Sequence, residues 1–187
     1  MNMSNFSRRS FALGAVATTT LVACGNGIGG AGAATIDARV DSTLNAMHTA
    51  YPGTRDLAAQ ASGLLVMPLV TEIGLGLGGS FGRGALRVGQ STVDYYAAAS
   101  GSAGLQIGAQ QYSHVLFFMT PEALSEFRRS QGWAAGADIE YAFSSRSDML
   151  RAETTTSLSP VIAVVFGQTG LRLGATLEGT KYTRIIP

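Results

Sequence analysis

The chain has 187 residues, 46% of them apolar and only 13% charged, with 13 basic against 12 acidic side chains and 24 glycines. That size fits one domain able to bury a core without staples, and the near-balanced charge argues against a nucleic-acid partner. The single cysteine excludes an intramolecular disulfide, a Cys-cluster metal site and a redox pair.

Residues 1–23 read as an export signal: a short basic region at Arg8 and Arg9, an apolar stretch from Phe11, and small residues before Cys24. The stretch is shorter than the roughly 20 apolar residues a spanning helix needs and is diluted by Gly14 and three threonines, so it is a targeting segment. Leu21-Val22-Ala23-Cys24 is similar to a bacterial lipobox, which implies cleavage before Cys24 and attachment of acyl chains such as palmitate to it. Ser7-Arg8-Arg9-Ser10-Phe11 also resembles the twin-arginine signature, and the sequence leaves that route and ordinary secretory export both open. Removal of residues 1–23, which hold two arginines and no acid, leaves 164 residues carrying 11 basic and 12 acidic side chains. Ten of those 11 are arginine, the residue suited to bidentate contact with phosphate.

Residues 24–34 hold only small residues apart from Asn26 and Ile28, and they read as a flexible tether. A single domain is then expected over 35–187. Ile36, Val40, Leu44, Met47 and Tyr51 recur at helical spacing, with Thr35 as cap and Pro52-Gly53 as stop. Thr54 is expected to cap a second short helix that ends at Gly63.

Beyond Gly63 the period becomes two, and short strands are expected over 64–67, 69–77, 85–88, 92–98 and 105–110. Residues 114–119 read as a fully buried strand. Thr120-Pro121-Glu122 then offers a cap, a proline at the first helical position and an early acid, predicting a helix over 121–129 with Leu124 and Phe127 inward. Further strands are expected over 137–143, 161–168, 171–177 and 182–186, with a polar loop over 144–159. The expected fold class is α+β, glycine-rich antiparallel strands curled into a barrel-like sheet packed with a few helices.

Three segments, starting at Gly74, Gly104 and Gly170, share the pattern Gly-Leu-x-aliphatic-Gly-small. In a strand this puts the aliphatic residues on one face and nearly bare backbone on the other, where a second element can approach closely.

Gly74, Gly76 and Gly79 satisfy G-x-G-x-x-G, but the glycine-rich continuation to Gly89 forms no helix to receive a pyrophosphate, so no dinucleotide or other cofactor is expected. His48 and His114, the only histidines, have no partner at metal-ligand spacing, so no metal is expected either. His48 is read as a surface residue and His114 as a satisfied, half-buried one. No G-x-S-x-G elbow occurs, Asp138 and Glu140 read as a solvated strand face, and no residue is assigned a catalytic role. The candidate lipid-contacting group is Arg128, Arg129 and Trp133, where arginine meets lipid phosphate and tryptophan settles at headgroup level. The competing reading has the arginines complementing the helix C-terminus and Trp133 anchoring the core. Arg83 and Arg87 form a second candidate phosphate-contacting pair.

The run over 61–68, the glycine motifs at 74–79, 82–84 and 104–108, Phe117-Phe118-Met119 before a short helix, and residues 170–179 together resemble the SYLF domain over nearly the whole of the chain after Cys24. The resemblance implies a lipid-binding module, in which eukaryotic members associate with phosphoinositides and actin. It also implies a mixed fold of glycine-rich antiparallel strands with helices. Two departures stand out: Glu72 in place of a frequent lysine, and a 35–51 helix with Arg39 set against Asp37 and Asp41. Phosphoinositide selectivity and actin binding are therefore not expected here. The expected protein is an outer-membrane lipoprotein anchored at Cys24 that binds membrane lipid, with an anionic headgroup allowed. The alternative is an envelope interaction protein with a protein partner.

Overall fold

The computed structural model describes residues 30–136, 139–141, 159–167, 177 and 179–187, and leaves aside the side chains of 74–77, 102–108 and 140–141. The expectations for Cys24 and the signal, for the 144–158 loop, for the strand over 171–176 and for Asp138 lie outside the described residues. Three helices, α1 (Ala31–Ala50), α2 (Thr54–Gln60) and α3 (Pro121–Arg129), pack on a curled half-barrel sheet of six strands among the described residues. The strands are β1 (Gly63–Val88), β2 (Ser91–Phe118), β3 (Trp133–Ala134), β4 (Ile139–Tyr141), β5 (Val161–Gly167) and β6 (Lys181–Ile185). The fold is α+β. All pairings are antiparallel except that of β4 with β5.

α1 starts at Ala31, four residues before the expected cap, because alanines favour helix and Ala33 already packs fully buried. Thr35 is therefore inside the helix, its hydroxyl donating to Ala31 O. Thr54 likewise opens α2 without capping it: the residue is buried and its hydroxyl donates to Tyr51 O at 2.7 Å. At α3 the expected cap is present, with Thr120 Oγ1 accepting from Ala123 N and Pro121 beginning the helix. Nine residues are too few for a helix to persist on propensity, so the burial of Phe127, of order 1.5–3 kcal/mol, fixes α3 on the sheet.

The short strands expected between 64 and 118 are two long ones. β1 and β2 form a ribbon that turns at Gly89-Gln90, with Gly89 at φ 59° in the first of two turn positions, the geometry a type II′ hairpin requires. Register shifts at Met67/Val70, Leu75/Gly76 and Leu86/Arg87 bend the ribbon. Pro68, which has no N–H for a ladder, falls in the first. The bend brings the two halves of β1 together. A Cβ on Gly82 would lie 2.7 Å from Val70 Cγ2 and 2.8 Å from Leu69 O. One on Gly84 would overlap Val66 O and sit 2.6 Å from Met67 Sδ. Close backbone approach thus occurs at Gly82 and Gly84, which lie outside the three Gly-Leu-x-aliphatic-Gly segments for which it is expected.

Both faces of the sheet are covered, and successive residues of one strand belong to different cores. Leu65, Met67, Leu86, Tyr96, Leu116 and Phe118 join Phe127 of α3. Leu64, Val66, Ala85, Tyr95, Val115 and Phe117 join Ala33, Ile36, Val40 and Met47 of α1. This two-sided burial explains why 64–67 and 115–118 are continuously apolar rather than alternating.

Candidate functional site

Two exposed arginine groups flank the sheet, one beside each long helix-to-sheet contact. The first lies where α1 begins. A cavity of about 430 Å³ is walled by Gly32, Thr35, Ile36 and Arg39 of α1, by Phe81 and Arg83 of β1, and by Pro187. Arg83 is exposed with its guanidinium 5.8 Å from the centroid of the Phe81 ring, within cation–π range. Phe81 itself is 51% exposed, one of four large apolar side chains exposed among the described residues.

Arg87 does not share that role. Its guanidinium is held against α1, 2.7 Å from Asp41 Oδ1 and 3.7 Å from Asp37 Oδ1, and donates to Gln90 O. With 13% of its side chain exposed it is a clasp between ribbon and helix, and of the expected Arg83/Arg87 pair Arg83 is the exposed member. Asp37 and Asp41 are one helical turn apart, and both therefore reach the same strand residue. Asp37 also accepts from Thr92 Oγ1 and from the Tyr95 hydroxyl, whose pKa is pushed up to about 12 by burial and by this bond.

The second group lies at the C-terminal end of α3, around an open groove of about 500 Å³ lined by Ser62, Pro121, Leu124, Ser125, Arg128, Arg129 and Arg184. Arg128 Nε donates to Asp94 Oδ2 at 3.1 Å, and Arg184 approaches Asp94 Oδ1 at 3.3 Å while donating to Arg128 O. Arg129 Nε reaches Ser125 O within α3 at 3.3 Å. Arg184 went unrecognised in the sequence. It stands opposite Tyr96 in the β2–β6 ladder, two residues from Asp94, a proximity that appears only once the register of β6 is known.

Residues 99–184 match the family model for Ysc84, described as Las17-binding protein actin regulator. That model is the SYLF family's, and the match covers 86 of the 187 residues. No curated protein matches it. The SYLF match contains Arg128, Arg129, Trp133 and Arg184, whereas Cys24, Arg39, Phe81, Arg83 and Arg87 precede it.

Within the SYLF segment Trp133 is half-buried, its ring 5.5 Å from that of Phe127 and 5.8 Å from that of Tyr182. It packs against the core, as the competing reading has it, with part of the ring left exposed. His114 is fully buried rather than half-buried. Its Nε2 pairs with the Tyr182 hydroxyl at 2.8 Å, its Nδ1 has no partner among the described residues, and burial lowers its pKa to about 3. His48 is half-buried against Thr54 Oγ1 at 2.8 Å rather than on the surface, and burial, then Arg55, lowers its pKa. Gly74–Gly79 run mid-strand in β1, so no helix follows the G-x-G-x-x-G residues. Among the described residues no helix is long and apolar enough to cross a membrane, and no group of three or more His, Cys, Asp or Glu is placed to hold a metal.

Proposed function

We propose that the protein is an acylated lipoprotein of the bacterial outer membrane, anchored at Cys24, whose SYLF domain binds membrane lipid and catalyses no reaction. One observation carries this reading: the helix that continues from the anchor begins in the wall of the cavity that holds Arg39, Arg83 and the exposed Phe81. Six residues lie between Cys24 and Ala31, and the seven Cα-to-Cα steps, at about 3.5 Å each, span at most about 25 Å. The start of α1 therefore stays close to the bilayer, and this face meets it first. Near an anionic surface each basic residue contributes about 1 kcal/mol, and Phe81 adds apolar contact at the headgroup boundary. Gly25 after the cysteine, in place of the aspartate that retains many such proteins at the inner membrane, favours the outer one. Actin regulation, named in the family description, is not part of the proposal, because α1 sets Arg39 against Asp37 and Asp41 and carries no basic run.

The test is flotation on anionic vesicles of the chain from Gly30 onward, which keeps the first helical hydrogen bond of α1 from Ala34 N to Gly30 O. Arg39→Ala/Arg83→Ala should weaken binding by about 2 kcal/mol, roughly thirtyfold, and Phe81→Ala should weaken it further. A folded parent that stays off the vesicles would favour a protein partner instead.

A further inference from the structure

The groove at the end of α3 has a charge and a shape that specify a ligand more narrowly than a membrane surface does. Three guanidinium groups surround it, and among the described residues the carboxylate they contact is Asp94, shared by Arg128 and Arg184. Among the described residues these four charges sum to +2. Glu122 and Glu126 belong to α3 but do not line the groove, because positions 121, 124, 125, 128 and 129 form the face that does. Pro121 and Leu124 make one wall apolar, while Ser62 and Ser125 place hydroxyl-bearing residues beside the arginines. Beneath Arg184 lies the buried Tyr96 hydroxyl, whose interaction with the guanidinium raises the pKa of the arginine.

A phosphodiester carries one negative charge and would leave this site at +1. A phosphomonoester above its second ionisation, near pH 6, approaches two charges and offers three acceptor oxygens, matching both the charge and the forked donors of several arginines. Arg129 is the member best placed to turn to a ligand, since its Nε contact is a 3.3 Å bond to a backbone carbonyl in its own helix.

We propose that the groove formed by Arg128, Arg129, Arg184, Ser62 and Ser125 is a binding site for a phosphomonoester dianion, with Leu124 and Pro121 receiving the apolar part of the molecule that bears it. This deepens the lipid-binding reading, by adding a headgroup site on a surface distinct from the Arg39/Arg83 face. The dianion has two possible sources, a lipid with a terminal phosphate or a free phosphate ester, and both share the chemistry the groove recognises.

The test is calorimetric titration of the full chain in a neutral detergent with dihexanoyl phosphatidic acid, dihexanoyl phosphatidylglycerol and glycerol 3-phosphate. Phosphatidic acid should bind at least about tenfold more tightly than the diester, and its affinity should rise between pH 5 and 7.5 as the second phosphate proton leaves. No histidine lines the groove to produce that rise from the protein side. Arg129→Gln should reduce the affinity about tenfold. Ser125→Glu, which places a carboxylate on the same exposed turn, should reduce it at least as much, and Arg39→Ala/Arg83→Ala should leave it unchanged. Tighter binding of phosphatidic acid than of glycerol 3-phosphate identifies the lipid headgroup as the source, and equal binding identifies the free ester. Equal binding of the diester, no binding by the folded parent, or an Arg129→Gln/Ser125→Glu double variant that binds like the parent would overturn the assignment. Vesicle flotation of the Arg39→Ala/Arg83→Ala variant reads the other face separately, so either proposal can fail without the other.

Discussion

Gly84→Ala tests the central feature of the fold, the contact of one half of β1 with the other. Gly84 pairs with Tyr96 in the ladder. The added methyl would overlap Val66 O and lie 2.9 Å from the Val66 carbonyl carbon. Met67 Sδ, 2.6 Å away, is a flexible side chain that can move, but the Val66 carbonyl is main chain and its displacement must part the two halves of the ribbon. Overpacking of this kind costs about 3 kcal/mol, the upper end of its usual span, because the obstacle is backbone. Loss of glycine's freedom in the unfolded chain offsets about 0.4–1 kcal/mol of that. A net loss of about 2 kcal/mol corresponds to a fall in Tm of roughly 4–8 °C for a chain of this length. Gly101→Ala is the matched control, since nothing lies within 4 Å of a Cβ there, and it should leave Tm unchanged or slightly raised. Thermal and urea unfolding followed by circular dichroism read both variants. If Gly84→Ala melts with the parent, or if Gly101→Ala falls as far, the close approach of the β1 halves is not what these glycines serve.

Two further outcomes are expected. His114 has a folded pKa of about 3 against 6.5 for the free side chain, so the unfolded chain takes up a proton first as pH falls. Its contribution to stability is complete above about pH 6.5 and is lost progressively toward pH 3. His114→Gln should flatten the dependence of the urea midpoint on pH in that window, and an unchanged slope would refute the assignment. Cys24→Ser should release the protein from the detergent-requiring membrane fraction once mass spectrometry shows that the signal has been removed, since stable anchoring needs more than one acyl chain. A processed Cys24→Ser protein that still sediments with membranes would argue against Cys24 as the anchor.

Local signals in the sequence determined the helices and the strand character, because caps, period and turn residues act over a few positions. Thr120-Pro121 starts α3, the spacing of Ile36, Val40 and Met47 builds the buried stripe of α1, and the apolar runs at 64–67 and 114–118 mark strands covered on both faces. The glycine motifs raised close backbone approach as a type of contact, but for segments other than the one that holds Gly84. Tertiary structure alone decided where it occurs, since Gly84 meets Val66 only after the ribbon has bent and residues eighteen apart come together. The same holds for charge. Arg83 and Arg87 look equivalent in sequence, yet Asp37 and Asp41, more than 40 residues away, take one of them out of the exposed surface. Arg184 joins Arg128 and Arg129 only through the register of β6 on β2. Which arginines remain free to meet a phosphate depends on long-range pairing, and no period of two or 3.6 residues carries that information.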